Sequence, residues 1–404
     1  MIFNTWTFGI FALLTLTLYW SAVPQRLKPY YLVVAGTVFY AFSVPAYLVL
    51  IAALGLVTYG VAIAMLRERR PHARRAWMAV GVTLITGVLV VFKYSGFFAR
   101  TVDQIAGHDI VPLPHIVVPL AISFFTFEFV HVLVDVYLGK ITEVDATDFA
   151  VFTMFFPTLV AGPIKRFQTF APQVRHITLP ADGELGLHLY RVVAGLAKKF
   201  IIADSMTLLT QPMLDPTGAS YGRVEYIVAV FAYTAKIYFD FTGYSDIAIG
   251  VAGLLGVAIP ENFDRPYWAP NISAFWRRWH MSLSSWIRDY IFIPLGGSRR
   301  PPLITALNLF LAMAIAGLWH GAAWTFVAWG LWHGIGLAVH RLWSVRVVPA
   351  VAFLARPSRA ITALSVATTF AFVVAGWVLF AAPTFDAAAQ TVARAAGGAV
   401  PDAR

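Results

Sequence analysis

Apolar positions in this chain form long runs that are separated by short polar stretches. A helix needs about 20 mostly apolar residues to cross the hydrocarbon core of a bilayer. The apolar runs cover residues 6–23, 30–44, 46–66, 77–92, 117–136, 149–160, 187–202, 226–255, 304–319, 323–340 and 361–381. Several runs are too short to cross upright and are predicted to form re-entrant or interfacial helices. The pattern therefore predicts an all-α, polytopic membrane protein with about nine to eleven transmembrane helices.

Composition supports lipid as the solvent for much of the chain. Of the 404 residues, 59% are apolar and only 12% are charged, whereas a soluble domain has roughly 25% charged residues. The 13 Trp and 16 Tyr suit the two interfaces of a bilayer, where amphipathic rings collect. The longest polar stretches, about 97–113 and 164–184, are too short to bury a core. We therefore expect one membrane-embedded domain over residues 1–404.

The positive charges indicate an orientation. Lys and Arg number 30 against 20 Asp and Glu, which gives a net charge of +10. Basic loops follow the first apolar run, at Arg26 and Lys28, and the third, at 67–75. The positive-inside rule places both loops in the cytoplasm, so we expect a multi-pass protein of the cell (inner) membrane with an extracytoplasmic N-terminus. Residues 1–20 contain no Lys or Arg, which favours a retained first span over a signal peptide.

Some partners and cofactors are excluded by what the chain contains. The basic residues are scattered between apolar runs, so no nucleic acid is expected as a partner. The chain has no cysteine, which excludes disulfides, thiolate metal sites and a cysteine nucleophile. No carboxylate and histidine recur at a metal-ligand spacing, and no metal is expected.

The segment 275–290 is the most unusual stretch of the sequence. At 100° per residue its aromatic residues share one face, while two stripes of Arg and Ser lie on other faces and His280 falls between them. An interfacial helix with snorkelling arginines is one interpretation. The other is the wall of a polar cavity, in which arginines meet anionic phosphates. The residues expected to bind substrate there are Arg277, Arg278, Trp279, Ser282 and Arg288.

Trp319 and His320 end an apolar run that starts beside a basic pair at 299–300. A rise of 1.5 Å per residue carries the chain roughly 24 Å from that pair, so His320 is expected deep in the membrane. Ionisable residues at such depth are functional candidates, and a neutral imidazole suits a general base; a structural, hydrogen-bonded histidine is the alternative. On the next run His333 is expected to form interhelical hydrogen bonds, and His340 to lie at an interface.

Carboxylates also occur inside apolar runs, where they need partners. Asp240, Tyr244 and Asp246 surround Gly243, which permits a helix break. They are candidates for a proton relay, a cation site or an ion pair with an arginine of 275–297, and the ion pair is preferred. These three residues, together with Trp319, are also expected to contribute to substrate binding. Another set at helical spacing, 128, 131 and 135, is expected to be a buried polar network or part of a cavity.

These segments together resemble the membrane-bound O-acyltransferase family, and within it the alginate O-acetylation type. The matching stretches lie in order between residues 119 and 377, which form the core of the resemblance. They are 119–127, 134–137, 156–157, 161–163, 238–250, 260–263, 275–297 and 317–324. The Trp-Arg-Arg-Trp-His stretch at 276–280, followed by Trp-His-Gly at 319–321, is highly specific in combination.

The resemblance implies a site and an architecture. His320 corresponds to the catalytic histidine of the family and His280 to its second histidine position. Helices surround a central funnel. An acetyl-CoA or acyl-carrier thioester enters from the cytoplasm as donor substrate, with no bound cofactor. A separate extracytoplasmic protein accepts the acyl group, and a polysaccharide is the final acceptor.

The function expected from these features is O-acyl transfer, with acetyl as the expected group, toward an extracytoplasmic polysaccharide. D-alanyl transfer from a carrier protein to a cell-wall polymer is the alternative within the enzyme class, because the length of this chain is closer to that of the related D-alanyl transferase of teichoic acid. A transporter or exporter is the alternative from another class, since buried charges also serve transport.

Overall fold

The computed structural model describes residue 3 and residues 5–112, 116–214, 221–351 and 358–398. These residues form helices and contain no β-strand. Every apolar run predicted above contains a helix, which confirms the all-α membrane protein. In chain order the α-helices are α1 (Trp6–Ser21), α2 (Lys28–Ala41), α3 (Leu48–Arg67), α4 (Pro71–Leu89), α5 (Ser95–Ala106), α6 (Ile122–Tyr137), α7 (Ala146–Met154), α8 (Phe167–Arg175), α9 (Asp182–Ala197), α10 (Asp204–Leu209), α11 (Gln211–Leu214), α12 (Arg223–Leu254), α13 (Ile272–Trp276), α14 (Met281–Ile287), α15 (Pro302–His320), α16 (Trp324–Arg346), α17 (Arg359–Ala381) and α18 (Phe385–Ala396).

Four helical segments among the described residues are long and apolar enough to cross a membrane: Pro45–Arg67, Pro71–Ala106, Pro302–His320 and Arg359–Ala381. The second of these includes the wide π-helical turn Val90–Tyr94, a feature that is frequent at functional sites. The larger number of spans and the central funnel stay predictions.

Contacts group the chain into two compact units. The first comprises residues 1–196 and 244–261, and the second comprises residues 197–243 and 262–404. The expectation of one functional domain over the whole chain stays a prediction. Each unit has its own internal order, and the two are described separately.

The first unit contains a buried polar network on α6. Lys165 forms an ion pair with Glu128, and both side chains are almost fully buried. The backbone N–H of Phe167 donates to His131 Nε2 at 3.2 Å. The Gln168 amide donates to Asp135 at 2.9 Å. This is the buried polar network expected at 128, 131 and 135. Its hydrogen bonds attach the start of α8 to α6. Breaking the Lys165–Glu128 pair would leave a buried charge without a partner, which is costly.

The second unit is organised by the hairpin of α15 and α16, whose glycines lie at the contact. A Cβ at Gly317 would lie 2.2 Å from the carbonyl oxygen of Phe326, and one at Gly330 would lie 2.2 Å from that of Met313. Small residues allow helix backbones to approach this closely in membranes. The repeated Gly-Leu-Trp-His-Gly stretch, at 317–321 and 330–334, therefore supplies glycines to both sides of one helix contact.

This contact predicts a specific sensitivity to one added methyl group. Gly330→Ala should force the two helices apart and destabilise the protein by about 1–3 kcal/mol. Gly60→Ala in α3 is the matched control, because a Cβ there meets nothing within 4 Å and alanine favours a helix by up to ~1 kcal/mol. The midpoint of thermal unfolding in detergent measures the stability of both variants. Equal midpoints for Gly330→Ala and the wild type would show that the helices do not pack on these glycines.

Candidate active site

The segment 275–290 is not one continuous helix, and that prediction is wrong. α13 ends at Trp276 and α14 begins at Met281. Between them His280 has a left-handed backbone, with φ 42° and ψ 55°. A left-handed residue changes the direction of the chain, so the helical faces assigned across it do not persist. α14 then continues into the π-helical turn Arg288–Phe292.

His280 is almost fully enclosed by rings. Its side chain lies 4.6 Å from the ring of Phe241 and 6.1 Å from that of Trp319, measured between centroids, and the residue is 1% exposed. Neither ring nitrogen has a hydrogen-bond partner among the described residues. His280 lies outside the four membrane-length helices, and burial lowers its pKa well below the ordinary value, with a further contribution from nearby His320. The imidazole is therefore neutral, because burial disfavours its charged form.

His320 is the last residue of α15, as the end of the apolar run predicted. Its half-buried ring packs against Trp319, Trp329 and Phe380, with centroids 4.9, 5.1 and 5.2 Å away. Trp319 therefore contacts both His320 and His280. The two candidate catalytic histidines, which are 40 positions apart in sequence, share this one indole in the second unit.

Further aromatic rings pack around the pair. Trp279, predicted to bind substrate, is buried and packs on Trp377 with centroids 4.9 Å apart. His333 is fully buried against Trp329, 5.0 Å away. Its ring nitrogens have no hydrogen-bond partner among the described residues, so the interhelical hydrogen bond expected for it is wrong. Gly376 makes room for His333, because a Cβ there would lie 2.9 Å from Nε2.

A cavity of about 650 Å³ lies beside this aromatic cluster in the second unit. Its basic lining residues are Arg277, Arg288, His340 and Arg341. Ala316 also lines it, and His320 follows one helical turn later on α15. Guanidinium groups of this kind bind phosphate oxygens through paired N–H donors. The cavity therefore offers an anion-binding mouth close to His320.

Three of the five substrate-binding residues predicted in 275–290 lie outside this cavity: Trp279, which belongs to the aromatic cluster, Arg278 and Ser282. Arg278 is outside the cavity lining, and its guanidinium donates to the carbonyl oxygen of Trp268 at 3.4 Å. Ser282 is buried, and its hydroxyl donates to Asn262 Oδ1 at 2.6 Å. The predicted basic stripe is thus divided by the break at His280, and Arg277 and Arg288 remain at the cavity.

The carboxylates of α12 have partners other than the arginines of 275–297. Asp240, in the second unit, pairs with Lys199 at 2.7 Å. Asp246, in the first unit, pairs with Arg191 at 2.9 Å. In the same unit the ring of Tyr244 packs against that of Phe3. The preferred ion pair with the arginine segment is therefore wrong. α12 also continues through position 243 without a break. A role in substrate binding for these three residues stays a prediction.

Asn262 was missed as an individual residue, because the sequence singled out 260–263 only as part of a resemblance. It is fully buried and contacts α14 through both its side chain and its backbone. A lone asparagine in a loop carries no local signal for such a role. Among the described residues no group of three His, Asp or Glu side chains is arranged to hold a metal ion.

Comparison with known proteins assigns the family. The model of the membrane-bound O-acyltransferase family (MBOAT) matches residues 115–382, which include both candidate histidines. The chain belongs to the membrane-bound O-acyltransferase family. It is therefore an O-acyltransferase, which confirms the enzyme class expected from the sequence.

Several bacterial proteins are similar to this chain over about two thirds or more of both lengths. The probable alginate O-acetylase AlgI of Azotobacter vinelandii is 38% identical over 398 residues, covering 96% of this chain and 76% of the relative. The peptidoglycan O-acetyltransferase of Helicobacter pylori is 34% identical, covering 90% and 72%. The teichoic acid D-alanyltransferase of Bacillus subtilis is 28% identical, covering 66% and 69%.

Proposed function

We propose that this O-acyltransferase moves an acetyl group from a cytoplasmic thioester toward an extracytoplasmic polysaccharide. The relatives named for O-acetylation of alginate and peptidoglycan are 34–38% identical and cover at least 90% of this chain in the two cases above. The D-alanyltransferase of B. subtilis is less similar and covers 66% of the chain. This difference favours acetyl over D-alanyl transfer, which is the second candidate.

The observation that carries the proposal is the position of His320 one turn beyond the basic cavity, in contact with Trp319. Arg277, Arg288 and Arg341 hold the phosphates of coenzyme A or of a carrier's phosphopantetheine in this cavity. The donor's thioester then reaches inward along α15 to His320. The indole wall keeps bulk water away, which limits wasteful hydrolysis of the thioester.

The chemistry requires one base and no covalent intermediate on cysteine. The His320 imidazole accepts the proton of the acceptor's hydroxyl group, while the oxygen of that hydroxyl forms a bond to the thioester carbonyl carbon. The carbon–sulfur bond then breaks, and the leaving sulfur takes the proton from the imidazolium. The products are an O-acyl ester and the free thiol. His280, which also packs on Trp319, assists by orienting the acceptor or exchanging the acceptor's proton.

The proposal includes an arrangement in the membrane. The protein spans the cell (inner) membrane with an extracytoplasmic N-terminus, and about nine to eleven spans surround a funnel. Support comes from the basic loop around 67–75, which follows a membrane-length helix. The donor cavity faces the cytoplasm in this arrangement, and the acceptor arrives from the opposite side.

Substitution of His320 tests the assignment of the base. His320→Ala should lower thiol release from acetyl-CoA by 10²- to 10⁴-fold, because a positioned base contributes about that much. His280→Asn should reduce the rate less. His108→Ala is the control, because His108 is exposed in a loop. The measurement is thiol release by purified protein with an acceptor present. Near-normal turnover by His320→Ala protein, with normal folding, would remove His320 from the mechanism.

A second test concerns the partner. A polysaccharide is too large and polar to enter the bilayer, and this chain has no cysteine to carry the acyl group outward. We therefore expect a separate extracytoplasmic protein to accept the acyl group at the outer mouth. Reconstitution with donor and polysaccharide alone should give little O-acylated polymer. Efficient acylation of the polymer without any second protein would show that this relay is unnecessary.

A further inference from the structure

We infer that Asn262 is a positioning residue that holds the left-handed turn at His280 and thereby aims its imidazole at Trp319. The inference rests on the proposed part of His280 in acyl transfer. Asn262 does not line the basic cavity, and it acts through its contacts with Met281 and Ser282.

The contacts that fix the turn come from one short segment. The Asn262 carbonyl oxygen accepts from the backbone N–H of Met281 at 2.9 Å. Its side-chain Oδ1 accepts from the Ser282 hydroxyl at 2.6 Å and from the Ser282 N–H at 3.3 Å. Two backbone donors of the first turn of α14 are thus satisfied by one buried asparagine. Helix starts leave such donors without intrahelical partners.

These contacts matter because the backbone of His280 is strained. A left-handed conformation costs a non-glycine residue roughly 1–2 kcal/mol, and it persists only where surrounding structure fixes it. No side-chain cap from position 280 itself supports α14. Asn262 provides the missing acceptor from a different part of the chain.

The same segment also supplies part of the wall that receives the imidazole. Phe263 follows Asn262 and packs on Phe241 and Trp279, each 5.1 Å away between centroids. The backbone N–H of Asp264 donates to the carbonyl oxygen of Arg278 at 3.0 Å. Residues 262–264 therefore hold 278–282 on both sides of His280, and Phe241 packs against the imidazole itself at 4.6 Å.

Because neither imidazole nitrogen of His280 has a hydrogen-bond partner among the described residues, no polar contact of its own orients the ring. Its direction follows from the backbone turn and the adjacent rings. Loss of the Asn262 side-chain acceptor lets the start of α14 shift, and this shift turns the imidazole away from Trp319. A misplacement of about 1 Å can lower a rate by about 10²-fold.

The test compares variants of the contact in the purified full-length protein. Asn262→Ala and Ser282→Ala should each lower kcat for acetyl transfer by roughly 10- to 100-fold, while KM for acetyl-CoA changes far less. Ser282→Thr keeps the hydroxyl donor and should recover most of the rate. Asn308→Ala is the matched control, because Asn308 is also a buried asparagine that bonds a carbonyl oxygen, that of Leu295, away from His280.

A measurement that does not use activity separates this inference from the proposed function. Diethyl pyrocarbonate modification of His280, followed by mass spectrometry, reports the exposure of its imidazole. It should be slow in the wild type and in Asn308→Ala, and faster in Asn262→Ala and Ser282→Ala. His280→Asn keeps a residue type that tolerates the left-handed turn, so it removes the imidazole with little change to the backbone.

The outcomes are distinguishable. Wild-type kcat and unchanged His280 modification in both Asn262→Ala and Ser282→Ala would overturn the positioning role, while loss of activity in His320→Ala would leave the proposed function standing. Full activity of His280→Asn would overturn the role of His280 itself, and the inference with it. Should Asn262→Ala fail to fold, the pair Ser282→Ala and Ser282→Thr decides alone.

Discussion

The close contact between α15 and α16 is the interaction on which the candidate site depends. Glycine at 317 and 330 lets the two backbones meet where any Cβ would overlap a carbonyl oxygen. That approach places the end of α15 against Trp329, which packs on both His320 and His333. A wider helix pair would open the wall and admit water to the imidazoles.

A second constraint fixes His280, which also packs on Trp319. The left-handed turn at His280 ends one short helix and starts the next, so an imidazole from a loop enters the same aromatic cluster. His280 and His320 meet in a ring-lined space with little water nearby, which suits proton transfer. The adjoining cavity is lined by the positively charged side chains of Arg277 and Arg288, and it therefore suits an anionic donor.

The sequence predicted what depends on local pattern and missed what depends on distant contacts. Each apolar run contains a helix, and α15 ends at His320, because the length and the end of an apolar run are local signals. The break at His280 was not predictable, since it is held by Asn262 from another part of the chain. The partners of Asp240 and Asp246 were missed for the same reason: Lys199 and Arg191 lie far away in sequence.

The central claim is that the basic cavity beside His320 binds the thioester donor. The chain has no cysteine, so Ser284→Cys would place a single thiol on the cavity wall. Saturating acetyl-CoA should slow modification of this thiol by a small methanethiosulfonate reagent in proportion to donor occupancy. It should leave an exposed control thiol, Ser205→Cys in α10, unaffected. A modification rate at Ser284→Cys that acetyl-CoA does not change would contradict the account and place the donor elsewhere.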